Sequence, residues 1–144
     1  MDTVRTADGT RYLLLKRSSD ASLVRDPTTG DERYIENERL ERISDNAPLE
    51  TVARTVPDAV RRVLSAVSND RALGLLLVID RRGPIAISDI LELSDLCESD
   101  VNGLLSEFRA AGLVEPKSII GVPGYATTEL ASEGLAVLCD VHDD

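Results

Sequence analysis

The chain has no tryptophan, one phenylalanine and three tyrosines among its 144 residues, so its core must be built from Leu, Ile, Val and Ala. Histidine and cysteine are nearly as scarce. The only histidine is His142, in the tail, and the two cysteines, Cys97 and Cys139, lie far apart without the short spacing of metal-ligand pairs. No metal site and no cofactor are expected, and the thiols read as incidental. The same shortage leaves no Ser/His/Asp or Cys/His set for nucleophilic catalysis. No P-loop or dinucleotide loop occurs either, and the Gly-Val-Pro-Gly run at 121–124 follows the wrong elements for a phosphate cradle. No enzymatic activity is expected. The longest apolar run, 75–79, is far below the roughly 20 residues that a bilayer helix needs. The first dozen residues lack the apolar stretch of a secretory signal. A soluble, cytoplasmic protein without membrane contact is expected.

Carboxylates are in excess. There are 26 Asp and Glu against 16 Lys and Arg, for a net charge of −10 and an isoelectric point near 4.5. Of the bases only Lys16 and Lys117 are lysines. With 42% apolar residues, 144 residues suit one domain, or a small domain with an appendage. The charge is unevenly spread. Residues 1–47 hold eight bases and ten acids, and residues 49–82 hold six bases and four acids. From 83 to 144 only Arg109 and Lys117 stand against twelve acids, a local charge of −10.

Residues 1–47 read as a small antiparallel β-meander. Candidate strands are 12–16, 22–26 and 32–35, and the Asp-Pro-Thr-Thr-Gly-Asp run at 26–31 is the clearest turn. Residues 36–43 suit a short helix or a final strand. The polar segment 44–48 is taken as a connector, which gives domains at 1–47 and 48–144. Pro57 suits the first turn of a helix carrying Val60, Val63, Leu64 and Val67 at helical spacing. Asn69-Asp70 offers an N-cap for a helix over 71–82, apolar nearly all round and so expected to be buried on more than one face. Gly83-Pro84 ends it.

The stretch 85–126 carries the densest signals. A short strand at 85–87 precedes a helix over 89–96 with Ser88 as its cap, and the turn 96–98 follows. Ser99 can cap a second helix, in which Val101, Leu104, Leu105 and Phe108 form one apolar stripe and Gly112 supplies the C′ position. Strands at 113–115 and 124–126, with 117–123 as the tip, precede a final helix over 129–139 capped by Thr127 or Thr128. This order is that of a winged helix-turn-helix, so the expected fold class is α+β, with the winged module following the N-terminal meander.

The residues also carry a family resemblance. FRAAGLV at 108–114 and GYATTELASEGLAVL at 124–138 make residues 57–138 resemble prokaryotic winged-helix regulators of the MarR and ArsR type. Ala126-Thr127-Thr128 stands where those families have Leu-Thr, and Gly134 matches the glycine of their last helix. With GTRYLLLKR and SLVRDPTTGDERY near the N-terminus, the whole chain looks most like a haloarchaeal family of small winged-helix proteins. Its acidic, lysine-poor composition likewise resembles that of proteins from salt-in halophilic archaea. The resemblance implies a transcription regulator.

Such a regulator would lay its second helix in the major groove. The side chains off the apolar stripe are Ser99, Asp100, Asn102, Gly103, Ser106, Glu107 and Arg109. Arg109 could reach guanine or phosphate, Asn102 adenine, and Ser99 and Ser106 phosphate, with Lys117 at the wing tip. Asp100 and Glu107 would oppose the DNA backbone. Arg81 and Arg82, with Arg61 and Arg62, could grip phosphates, or could complement a helix C-terminus and lie over apolar surface. DNA is the expected partner, and a homodimer through the helix at 57–68 and the last helix is the expected assembly. The alternative is an adaptor module that binds another protein and no DNA.

Overall fold

Polar turns cut the N-terminal part of the chain into brief strands. In a computed structural model that describes residues 2–43 and 47–140, these are β1 (Asp2–Arg5), β2 (Arg11–Arg17), β3 (Ala21–Arg25), β4 (Glu32–Glu36) and β5 (Glu41–Ile43). All their pairings are antiparallel, in the order β4-β3-β2-β1-β5. The expected three- or four-stranded meander is therefore a five-stranded sheet whose last strand returns beside the first. A flat sheet would separate β4 from β5 by four strand spacings, about 19 Å. The 3-10 turn Asn37–Arg39 between them is too short for that span, so the sheet rolls up. Val4, Tyr12, Val24 and Ile35 are buried inside the roll, with Leu14 and Leu40 against them. Asn37 pins the closure: its side-chain carbonyl accepts from the Ser22 hydroxyl at 2.5 Å, and its amide donates to the carbonyls of Ser18 and Ser19.

Several bases of this unit are engaged within it. Arg5 pairs with Glu41 at 3.1 Å, Arg25 with Glu32 at 2.6 Å and Arg42 with Asp2 at 2.7 Å. Arg33 lies over the Tyr12 ring, 5.2 Å from its centroid, and donates to the Tyr12 hydroxyl. In the turn after β1 the Thr6 hydroxyl donates to Asp8 and holds that carboxyl below the ordinary carboxylate range. A helix that the sequence reading did not anticipate, α1 (Pro48–Ala53), packs on β1 and β2. The Thr51 and Thr3 hydroxyls, both buried, are 2.6 Å apart. This helix shifts the division of the chain to Val56–Pro57, giving units Met1–Val56 and Pro57–Asp144, where the sequence reading divides it after 47. Most of the expected connector, 44–46, and the tail 141–144 with His142 lie outside the described residues.

The second unit comprises α2 (Asp58–Ala66), α3 (Asp70–Arg82), β6 (Ile85–Ala86), α4 (Ile87–Leu93), α5 (Glu98–Ala110), β7 (Val114–Ile119), β8 (Val122–Thr127) and α6 (Glu129–Leu138). Pro57 takes the position just before α2. Asn69 caps α3 by accepting from the Ala72 amide at 2.9 Å, and Thr128 caps α6 by accepting from Ala131 at 3.2 Å. The strands form an antiparallel sheet in the order β6-β8-β7. Phe108, the chain's only phenylalanine, is wholly buried among aliphatic side chains that include Leu76, Ile79, Leu105 and Leu113. As expected, α3 is covered on several faces, with Ala72, Leu75, Leu76 and Ile79 buried and Leu73, Leu77 and Val78 partly so. No helix among the described residues is long and apolar enough to cross a membrane.

Two glycines set opposite expectations for stability. At Gly134 a Cβ would lie 2.6 Å from the Ala59 carbonyl oxygen, so α6 approaches α2 backbone to backbone. Gly134→Ala is expected to destabilise the chain by about 2 kcal/mol, since neither backbone can yield without opening the helix pair. At Gly74, on α3, an added Cβ would meet nothing within 4 Å. Gly74→Ala is expected to raise stability by roughly 0.5–1 kcal/mol through the entropy of the unfolded chain. Chemical denaturation of the two variants beside the parent checks both signs.

Candidate functional site

The candidate surface is carried by α5. The apolar stripe Val101, Leu105 and Phe108 is buried, so the opposite face is held outward. At 100° per residue, Ser99, Gly103, Ser106 and Ala110 form the crest of that face. Asn102 and Arg109 fall on one flank, and Asp100 and Glu107 on the other. Ser99, Asn102, Ser106 and Arg109 are all exposed, spread over about 15 Å of helix. Among the described residues, nothing hydrogen-bonds or ion-pairs with the side chains of Asn102, Ser106 and Arg109. Ser99 lies 3.2 Å from the Cys97 sulfur.

The acids of α5 are set to the side. Asp100 and Glu107 line a shallow groove of about 380 Å³ with Asn69 and Arg71, at the start of α3, and Asn102, Ser106 and Arg109 take no part in its lining. The positive N-terminus of α5 also sits behind Glu98 and Asp100, in its first turn. The carboxylates expected to oppose an anionic partner thus occupy one flank, beside an arginine.

Several expected features are corrected. Ser88 and Ser99 cap nothing: α4 and α5 each begin two residues earlier, after Ala86 and Cys97 in extended conformation, which draws both serines into first turns. The link between the two helices is 94–97. The hairpin strands run to Ile119 and Val122, so the tip shrinks to Ile120-Gly121. Lys117 is therefore not at the tip. It sits in β7 opposite Gly124, with its Nζ 3.7 Å from Glu115. Two prolines that lie outside the expected strands are accommodated in strands. Pro116 is on the edge strand β7, where a missing donor is harmless, and Pro123 lies beyond the end of β6.

Arg81 and Arg82 are exposed at the end of α3, and neither forms an ion pair among the described residues. They lead into β6, whereas Lys117 lies on β7. Those two strands are opposite edges of the sheet, about 10 Å apart. The candidate bases are thus split between two edges. Arg61 and Arg62, the other offered phosphate grips, are engaged inside the unit. Arg61 pairs with Asp58 at 3.4 Å, and Arg62 reaches the Ala111 carbonyl at the C-terminus of α5, at 3.5 Å.

One feature of this surface left no clear mark in the sequence. Ile120 is 99% exposed and has φ of +51°, with Gly121 at +78°. Positive φ at both loop residues is what a type I′ hairpin turn requires, and Asn-Gly is its preferred pair. A β-branched residue there is strained.

A family of unknown function (DUF7346) matches the chain over residues 1–139. No curated protein and no solved structure matches it.

Ile120 yields a prediction of its own. Ile120→Asn removes the strain and forfeits no buried area, so it is expected to stabilise the chain by about 1 kcal/mol. A higher midpoint of thermal unfolding checks this.

Proposed function

We propose that this chain, which belongs to the DUF7346 family of unknown function, is a DNA-binding regulator built on a winged helix-turn-helix and acting as a homodimer. One observation carries the reading. A short strand, two helices joined by a four-residue link, and a hairpin whose second strand pairs with the first short strand follow one another in order. In this reading α4 and α5 are the helix-turn-helix, α5 enters the major groove, and the β7–β8 hairpin is the wing. Asn102, Ser106 and Arg109 have donors and acceptors to spend on base edges and phosphates. Ser99 and Lys117 add contacts at either end, and Arg81 and Arg82 add charge from the far edge of the sheet. The strained, exposed Ile120 at the wing tip is consistent with a conformation kept for binding.

The acidic surface suits such a role in a salt-rich interior. There the Debye length is about 3 Å, so repulsion between distant charges and DNA is screened. Base contacts and shape then carry more of the affinity than counterion release does. The dimer reading rests on α2 and α6. Leu64, Val137 and Leu138 are exposed there, and Val63, Leu64, Leu73, Leu77, Leu135 and Leu138 line an apolar groove of about 450 Å³. A second reading, an adaptor that binds protein and no DNA, is favoured by the charge of −10 over residues 83–144.

Genome-wide crosslinking and precipitation, with binding assays in molar KCl, separates the two. Enriched sites are expected. At such a site Arg109→Ala should weaken binding by about 1–3 kcal/mol, with relaxed sequence preference. Lys117→Ala should weaken all sequences alike and lower the salt slope by about one. No enriched sites, together with no loss in either variant, would sink the DNA reading in favour of the adaptor. For the assembly, light scattering in high salt should give twice the chain mass, and Leu64→Glu should give the monomer. A monomeric parent rejects the dimer.

A further inference from the structure

We propose that the cleft between α3 and α4 binds a small apolar amino acid in its free, zwitterionic form. The cleft holds about 280 Å³, just under the usual range for ligand pockets of roughly 300–1,000 Å³, which restricts it to small molecules. Its floor is aliphatic, made by Leu75 and Val78 of α3 and Ile90 and Leu93 of α4. Gly74 opens the α3 side, where an added Cβ would meet nothing within 4 Å.

Three polar residues line the same cleft. Arg71 and Asp95 both line the cleft, and they form no ion pair with each other. Ser94 lines it too, at the start of the link to α5. Its hydroxyl oxygen is buried without a hydrogen-bond partner among the described residues.

The charges narrow the ligand class. A plain carboxylate would suit Arg71 and be opposed by Asp95. A plain amine would suit Asp95 and be opposed by Arg71. A molecule with both groups on one carbon and an aliphatic side chain satisfies both charges and fills the floor. The proposal stands apart from DNA binding, since none of the cleft's residues is among the candidate DNA contacts.

Calorimetric titration of the full chain in molar KCl tests it. The probes are L-leucine, 4-methylpentanoate, which keeps only the carboxylate, and 3-methylbutan-1-amine, which keeps only the ammonium. Saturable binding of L-leucine is expected, with each one-charge probe weaker by about tenfold or more. Gly74→Leu should fill the cleft and abolish binding while the chain keeps its helical circular dichroism. Arg71→Gln, a change on the exposed rim, should weaken leucine and strengthen the amine, from which it removes a like charge. Three results would each overturn the proposal: no saturable binding by leucine, isoleucine, methionine or phenylalanine up to their solubility, one-charge probes binding as tightly as leucine, or binding that survives both variants.

Discussion

Leu73, Leu75, Leu76, Leu77, Val78 and Ile79 project from every side of α3, and this helix therefore has to be covered from all directions at once. No single partner helix can do that. The α2–α6 pair lies along Leu73 and Leu77, α4 lies along Val78, and β8 crosses near the C-terminal end. At that end the Asp80 carboxylate accepts hydrogen bonds from Thr127, at 2.9 Å, and from Ser132, at 2.6 Å. One carboxylate thus joins α3, the last residue of β8 and the first turns of α6. Hydrophobic cover brings these elements together without direction, and the Asp80 bonds add the direction.

The outer layer depends on that arrangement. With Val101, Leu105 and Phe108 buried, the rotation of α5 about its axis is set, and with it the split between the Asn102/Arg109 flank and the Asp100/Glu107 flank. Arg62 of α2 holds the C-terminal carbonyl of Ala111, while Glu98 and Asp100 stand at the N-terminus, so both ends of the helix dipole are complemented. The local charge of −10 over residues 83–144 is not spread evenly around α5. The face that remains for a partner is small, polar and carries one arginine.

Sequence and structure part at identifiable places. Residue type marks the tightest turns and caps: Gly112 and Gly83 take positive φ, and Asn69 and Thr128 cap as read. Ser88 and Ser99 are plausible caps by type and are not caps, because the chain already turns helical after the extended Ala86 and Cys97, with no side-chain cap bond at either start. Strand β1 has only Thr3 and Val4 as signals, and α1 has only Pro48 and a few apolar residues. Each is held by its neighbours, through the pairing of β1 with β2 and β5 and the buried Thr3–Thr51 contact. Pro116 and Pro123 lie outside the expected strands, yet the edge position of Pro116 and the place of Pro123 beyond the end of β6 let both extend the hairpin, which moves Lys117 from its tip to its side.

Of the candidate site, the outward set on α5 was legible, since the 3.6-residue period of the buried stripe names the exposed residues directly. Period and cap chemistry are local, so the sequence alone determined the helices of the second unit, their order and the α+β class. What depends on residues far apart in the chain was decided only in three dimensions. Tertiary packing rolled the first sheet, returned β5 to β1, put Arg71 beside Asp100 and Glu107, and separated Arg81 and Arg82 from Lys117 by the width of a sheet. It also gathered Arg71, Ser94 and Asp95 around one cleft. Distance through space follows from how side-chain volumes and strand registers fit together, and no local pattern encodes that fit.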